Sequence, residues 1–107
     1  MKRCVVGIRR PETPKPVATG RDEPTVWVPS MPTLAAVLSE DNRALLRLIH
    51  DQRPPSLTAL AELTGRQVPN LSRTLRMMES YGLVALKKSA REIAPVALAT
   101  SFKILID

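Results

Sequence analysis

The sequence predicts an α+β fold, and three observations predict it. Residues 58–84, TALAELTGRQVPNLSRTLRMMESYGLV, read as two short helices joined by a tight glycine turn. Residues 83–96 run from an apolar segment through a basic turn to a second apolar segment, the pattern of a β-hairpin. Short apolar runs at 4–8 and 102–106 have the length of strands. Together they specify a winged helix-turn-helix: a three-helix core with a β-hairpin wing and extra strands at both ends. The chain then divides into an N-terminal strand and Pro/Arg-rich arm, residues 1–25, and a winged-helix domain, residues 26–107.

Cys4-Val5-Val6-Gly7-Ile8 reads as a strand. Residues 9–25 hold Arg9, Arg10, Pro11, Pro14, Pro16, Gly20 and Pro24, a composition that favours an irregular arm. Thr25 to Val28 reads as a second strand. Ser30 can cap a short helix through Leu38, with Pro32 in its first turn, where no intrahelical N–H is lost. Ser39 caps the next helix, Glu40 to about Gln52, striped by Leu45, Leu46, Leu48 and Ile49 and ended by Pro54-Pro55. Glu40 and Asp41 suit the positive end of its dipole. Leu57, Leu60, Ala61 and Leu63 stripe a two-turn helix that Ser56 or Thr58 can cap and that Gly65 can end in the left-handed conformation. The following helix, Val68 to Tyr81, carries Leu71, Thr74, Leu75 and Met78 on one side, has Pro69 in its first turn, and stops at Gly82. The tail from Phe102 to Ile106 is a strand that needs a neighbour, either Cys4–Ile8 or Val26–Val28, in the same chain or another.

The polar side of the helix at 68–81 points to its chemistry. Gln67, Asn70, Ser72, Arg73 and Arg76 gather there, with Glu79 the only acid nearby. Arg can fork onto guanine and Asn or Gln can pair with adenine, whereas a hydroxyl or ammonium holds phosphate. Asn70 and Arg73 are the first candidates for base contacts, followed by Arg76 and Gln67. Ser72 is assigned to the backbone, with Arg66 at the turn and Lys87, Lys88 and Arg91 on the hairpin.

Charge distribution agrees. The chain has 107 residues and a net charge of +6. From Arg66 to Arg91 there are six basic groups, Arg66, Arg73, Arg76, Lys87, Lys88 and Arg91, against Glu79. From Val26 to Gly65 the balance is slightly acidic, so the positive charge concentrates where DNA would lie. Aromatic residues make up only 3%, which disfavours stacking on single-stranded bases and assigns Trp27, Tyr81 and Phe102 to packing.

Residues 58–84 resemble the winged-helix segment of MarR-type regulators without a gap, and NLSRTL followed by ME-YGLV is typical of them. The resemblance covers about the last half of the chain. More narrowly, TVWVPSMPTLAAVLSEDNRALL, residues 25–46, looks like a group of small MarR-like DNA-binding proteins. Members of that group are often encoded beside a small toxin, and are then described as antitoxins that also repress their own operon. The resemblance therefore implies a sequence-specific double-stranded DNA-binding regulator, a homodimer and an autorepressor. The alternative it implies is an antitoxin that neutralises a partner toxin, with the arm and tail strand as working surfaces. Two departures stand out. Gln67, Val68 and Pro69 lower the positive charge at the start of the recognition helix, and the chain ends in a strand where MarR-type relatives continue into long helices.

Enzyme chemistry is not expected. One Cys and one His supply neither a metal site nor a nucleophile with its base, and no glycine-rich phosphate loop occurs, so no catalytic residue, metal or cofactor is assigned. His50 reads as a helix-end histidine. Cys4 reads as a reduced thiol in a cytoplasmic protein. No run is long enough to span a membrane.

Overall fold

Three consecutive helices begin with the same device. In the computed structural model, which describes residues 3–8, 26–89 and 91–106, Ser30, Ser39 and Ser56 each turn a hydroxyl oxygen onto the amide three residues ahead. The amides of Thr33, Asn42 and Ala59 donate at 3.3, 3.2 and 3.0 Å. Each serine thereby satisfies an amide that the helix itself leaves without a partner. The helices are α1 (Met31–Val37), α2 (Glu40–Gln52) and α3 (Leu57–Thr64); a fourth, α4 (Val68–Ser80), starts from Gln67 without a side-chain cap. Ser56, not Thr58, caps α3. The helices expected to reach Leu38 and Tyr81 each stop one residue earlier, these two residues serving as the C-caps.

Helix ends are fixed as firmly as their starts. Gly65 closes α3 at φ 73°, with its N–H on the Ala61 carbonyl at 2.8 Å. At the end of α4, Gly82 sits at φ 77°; its N–H reaches the Glu79 carbonyl at 2.9 Å and the Leu83 N–H reaches the Met78 carbonyl at 3.0 Å. This pair of bonds is the Schellman arrangement, and its usual apolar contact is supplied by Met78 and Leu83, both fully buried.

Beyond α4 the chain forms an antiparallel hairpin of β3 (Val84–Ser89) and β4 (Glu92–Ala97). The remaining strands, β1 (Arg3–Ile8), β2 (Val26–Val28) and β5 (Ser101–Ile106), make a separate parallel sheet in the order β2-β1-β5. The tail strand pairs with β1 in this chain, Cys4 opposite Phe102 and Val6 opposite Ile104, while Val6 also stands opposite Val26. The architecture is α+β.

A single apolar cluster runs through all of it. Cys4, Val6, Val26 and Val28 from the sheet join Leu34 and Val37 of α1, Leu46 and Ile49 of α2, Leu60 of α3, and Leu71, Leu75 and Met78 of α4. Tyr81 and Phe102 pack against it half-buried. Two polar side chains of α2 close the end of α1: the Asn42 amide donates to the carbonyls of Ala36 and Val37 at 3.2 and 3.1 Å, and Arg43 Nε donates to that of Leu38 at 3.0 Å. Among the described residues no buried side-chain polar atom lacks a partner. None of the described helices is long and apolar enough to cross a membrane. The arm expected at Pro11 to Glu23 lies outside the described residues.

Two substitutions test these local devices. Asn42→Ala strips two carbonyls of their donor and should cost about 1–3 kcal/mol of stability in urea unfolding. Gly65→Ala meets no atom within 4 Å of the added methyl. Its cost, about 1 kcal/mol, should therefore come from the left-handed backbone alone, and an asparagine there should recover part of it.

Candidate nucleic-acid interface

Helix α4 has one apolar and one charged side because its sequence has the helical repeat. Leu71, Leu75 and Met78 are buried, whereas Pro69, Asn70, Arg73, Arg76, Glu79 and Ser80 are exposed. Arg73 and Arg76 lie three residues apart and so project from neighbouring turns of the outward face. Gln67 stands exposed at the start of the helix, and Ser72 is half-buried on the flank. Arg73 Nη2 donates to Asn70 Oδ1. The two side chains first assigned to base contacts thus hold each other, and the amide oxygen of Asn70 is engaged within the helix.

The hairpin adds charge beside this face. Lys87 and Lys88 on β3 and Arg91 at the turn are exposed. Among the described residues none of Arg73, Arg76, Lys87, Lys88 and Arg91 enters an ion pair. Their charges are not neutralised from within. Arg66 differs: it is half-buried and lines a recess of about 220 Å³ with Asp41, Leu45, Leu48 and Thr64, at the junction of α2 and α3. Its backbone N–H rests on Thr64 Oγ1 at 3.2 Å, and that hydroxyl donates to the Leu60 carbonyl at 3.0 Å. The turn between α3 and α4 is braced by these two bonds.

Glu79 has a role that its sequence position does not signal. Its Oε2 accepts the N–H of Leu86 at 3.3 Å, joining the last turn of α4 to the middle of β3. That N–H is available because of the hairpin register. Leu98 N–H donates to the Leu83 carbonyl at 3.0 Å, and counting from this pair the ladder bonds fall at alternate positions, leaving Leu86 and its opposite residue Pro95 without them. Proline, which has no N–H to give, is tolerated there. The acid on the basic face therefore serves to hold the hairpin against the helix, and β4 packs from the other side onto α2 and α3.

Residues 37–104 match the family model described as HVO_A0114. The chain belongs to the HVO_A0114 family. The HVO_A0114 match takes in the whole of α2, α3, α4 and the hairpin, together with most of β5, so the charged face lies entirely within it. No curated protein and no solved structure matches the chain.

No group of three or more His, Cys, Asp or Glu able to hold a metal occurs among the described residues. Cys4, the one cysteine of the sequence, is buried, and His50 Nδ1 lies 3.1 Å from Asp51 Oδ1 at the end of α2. Both lie on elements other than α4 and the hairpin.

Glu79→Ala should raise amide exchange at Leu86 by about tenfold, the equivalent of one ordinary hydrogen bond. Glu79→Gln, which keeps an acceptor oxygen, should leave it near the wild-type rate. Equal exchange in wild type and Glu79→Ala, followed by NMR, would remove the tether.

Proposed function

We propose that the protein is a sequence-specific double-stranded DNA-binding regulator of winged helix-turn-helix form, with α3 and α4 as the helix pair and β3-β4 as the wing. The observation that carries this reading is the gathering of basic groups outside any ion pair, Arg73 and Arg76 on α4 with Lys87, Lys88 and Arg91 on the adjoining hairpin, around a helix whose other side is packed into the core. The resemblance of residues 58–84 to MarR-type regulators points the same way, and with it come a homodimer and repression of the protein's own operon.

The parts divide the work by chemistry. An Arg on the outward side of a helix in the major groove reaches base edges, so Arg73 and Asn70 read sequence, with Arg76 and Gln67 flanking them. Their mutual hydrogen bond must open, or turn together onto one base pair, when DNA arrives. Lys87, Lys88 and Arg91 hold phosphates and release counterions, which gives affinity without sequence. Ser72, half-buried on the flank, is assigned to the DNA backbone. In a two-fold dimer the two copies of α4 stand about 34 Å apart, one turn of the double helix, and the operator is a rough palindrome.

Fluorescence anisotropy with DNA from the protein's own upstream region, against scrambled DNA of equal length over a range of salt, tests this. Arg73→Ala should weaken binding to the specific site by about 1–3 kcal/mol while sparing scrambled DNA. Lys88→Ala should weaken both alike and lower the salt slope by about one counterion. Equal losses on both DNAs for Arg73→Ala would end its assignment as a base reader, and equal affinity of the wild type for both would end the regulatory reading.

A further inference from the structure

A second surface lies on the far side of α2. A groove of about 530 Å³ runs between α1, α2 and β5, walled by Leu34 and Leu38, Arg43 and Arg47, and Phe102 and Ile104. β5 is an outer strand of the sheet: β1 pairs with one of its sides and no described strand with the other. Ile104, on the side of the sheet that faces the helices, is 42% exposed. Among the described residues the charged side chains lining the groove are both arginines, and no acid joins them.

We propose that this groove receives an extended acidic segment of a partner protein, added as a strand on the outer edge of β5. A strand placed there continues the sheet, and every second side chain points inward over the groove. Arg43 and Arg47 are one helical turn apart, about 6 Å along the axis. Alternate residues of a strand are separated by about 6.7 Å, so two carboxylates in an acidic-x-acidic segment match the two guanidiniums. Arg43 is held for this by its Nε bond to the Leu38 carbonyl, which leaves the rest of its fork outward. Apolar residues further along the same side of the segment would cover Phe102 and Ile104.

Charge selects this occupant over a second copy of the chain. β5 of another copy, Ser101–Ile106, carries no acidic side chain to answer the arginines. Nucleic acid would satisfy the arginines but leave Leu34, Leu38, Phe102 and Ile104 against phosphate. The proposal is independent of the DNA reading, which concerns α4 and the hairpin.

The test uses the full chain and a fluorescein-labelled peptide in which glutamate, glutamate, valine and valine alternate in turn with threonine. Controls are the same peptide with lysine for glutamate, and one N-methylated at alternate backbone positions in either register. The glutamate peptide should bind saturably and about tenfold or more tightly than the lysine peptide. Arg47→Glu, at a side chain with no hydrogen bond among the described residues, should preserve the melting temperature, weaken the glutamate peptide by about tenfold and reverse the preference. N-methylation in one of the two registers should abolish binding, since a strand bonds its neighbour through alternate groups. The proposal is overturned by equal or absent binding of the two peptides, or by indifference to Arg47→Glu or to both N-methylations. It is likewise overturned by self-association in sedimentation that blocks the peptide, which would give the groove to a second copy. Displacement of the peptide by duplex DNA as strongly from the Arg73→Ala, Lys88→Ala protein as from wild type would make it a phosphate site.

Discussion

The burial of one side of α4 is the constraint on which the rest depends. Leu71, Leu75 and Met78 are completely inaccessible, and they reach this state in one cluster with Leu46, Ile49 and Leu60. Each such side chain contributes roughly 1.5–3 kcal/mol from leaving water, far more than any exposed charge contributes on the opposite side. The helix is therefore locked in rotation by its apolar residues. Arg73 and Arg76 face outward because three other residues must face inward.

The same anchoring sets the hairpin. Met78 and Leu83 meet across the Schellman turn, so the chain leaves α4 in one direction only, and Leu83 and Val84 are buried at the root of β3. A two-stranded ribbon by itself would be marginal. Here it is packed through β4 onto α2 and α3, through β3 onto α4, and tied by Glu79 to Leu86. Since like charges on Lys87, Lys88 and Arg91 repel one another and the arginines of α4, the hairpin has an electrostatic reason to swing away. Glu79 opposes that swing as a hydrogen-bond acceptor for Leu86.

Much of this was legible locally. A serine followed by a helical stripe announced each cap at Ser30 and Ser39, and glycines at 65 and 82 announced the stops, because capping and left-handed turns are decided within four or five residues. The choice between Ser56 and Thr58 was open, since either hydroxyl lies within reach of the first turn; the chain enters α3 extended at Ser56 and settles it. Pairing of the sheet was not legible. Parallel strands carry no turn between them, so nothing near Cys4 names Phe102 as its neighbour across nearly the whole chain. Nothing in the spacing marks Asn42, yet it is buried and bonds the end of another helix. At the candidate interface the charges were legible as a cluster, but the bonds that arrange them were not. Arg73 to Asn70 and Glu79 to Leu86 depend on rotamers and on register, which no spacing encodes.

Helix α2 belongs to both surfaces. Its Leu46 and Ile49 share the core cluster with the buried side of the helix that bears Arg73, while its Arg43 and Arg47 line the groove beside β5. Any ligand that binds only the folded chain stabilises it, so occupancy of either surface raises resistance to unfolding. Coupling between the two requires more, namely two native arrangements that one ligand distinguishes and the other feels. Interiors packed to crystal-like density shift between discrete arrangements or not at all. Leu46, Leu60, Leu71 and Leu75 are all fully buried and α2 is capped at Ser39, which opposes a second arrangement of this helix. Two surfaces that share a rigid helix are linked through global stability and otherwise act independently. A partner seated at β5 would then leave the face of α4 as it found it.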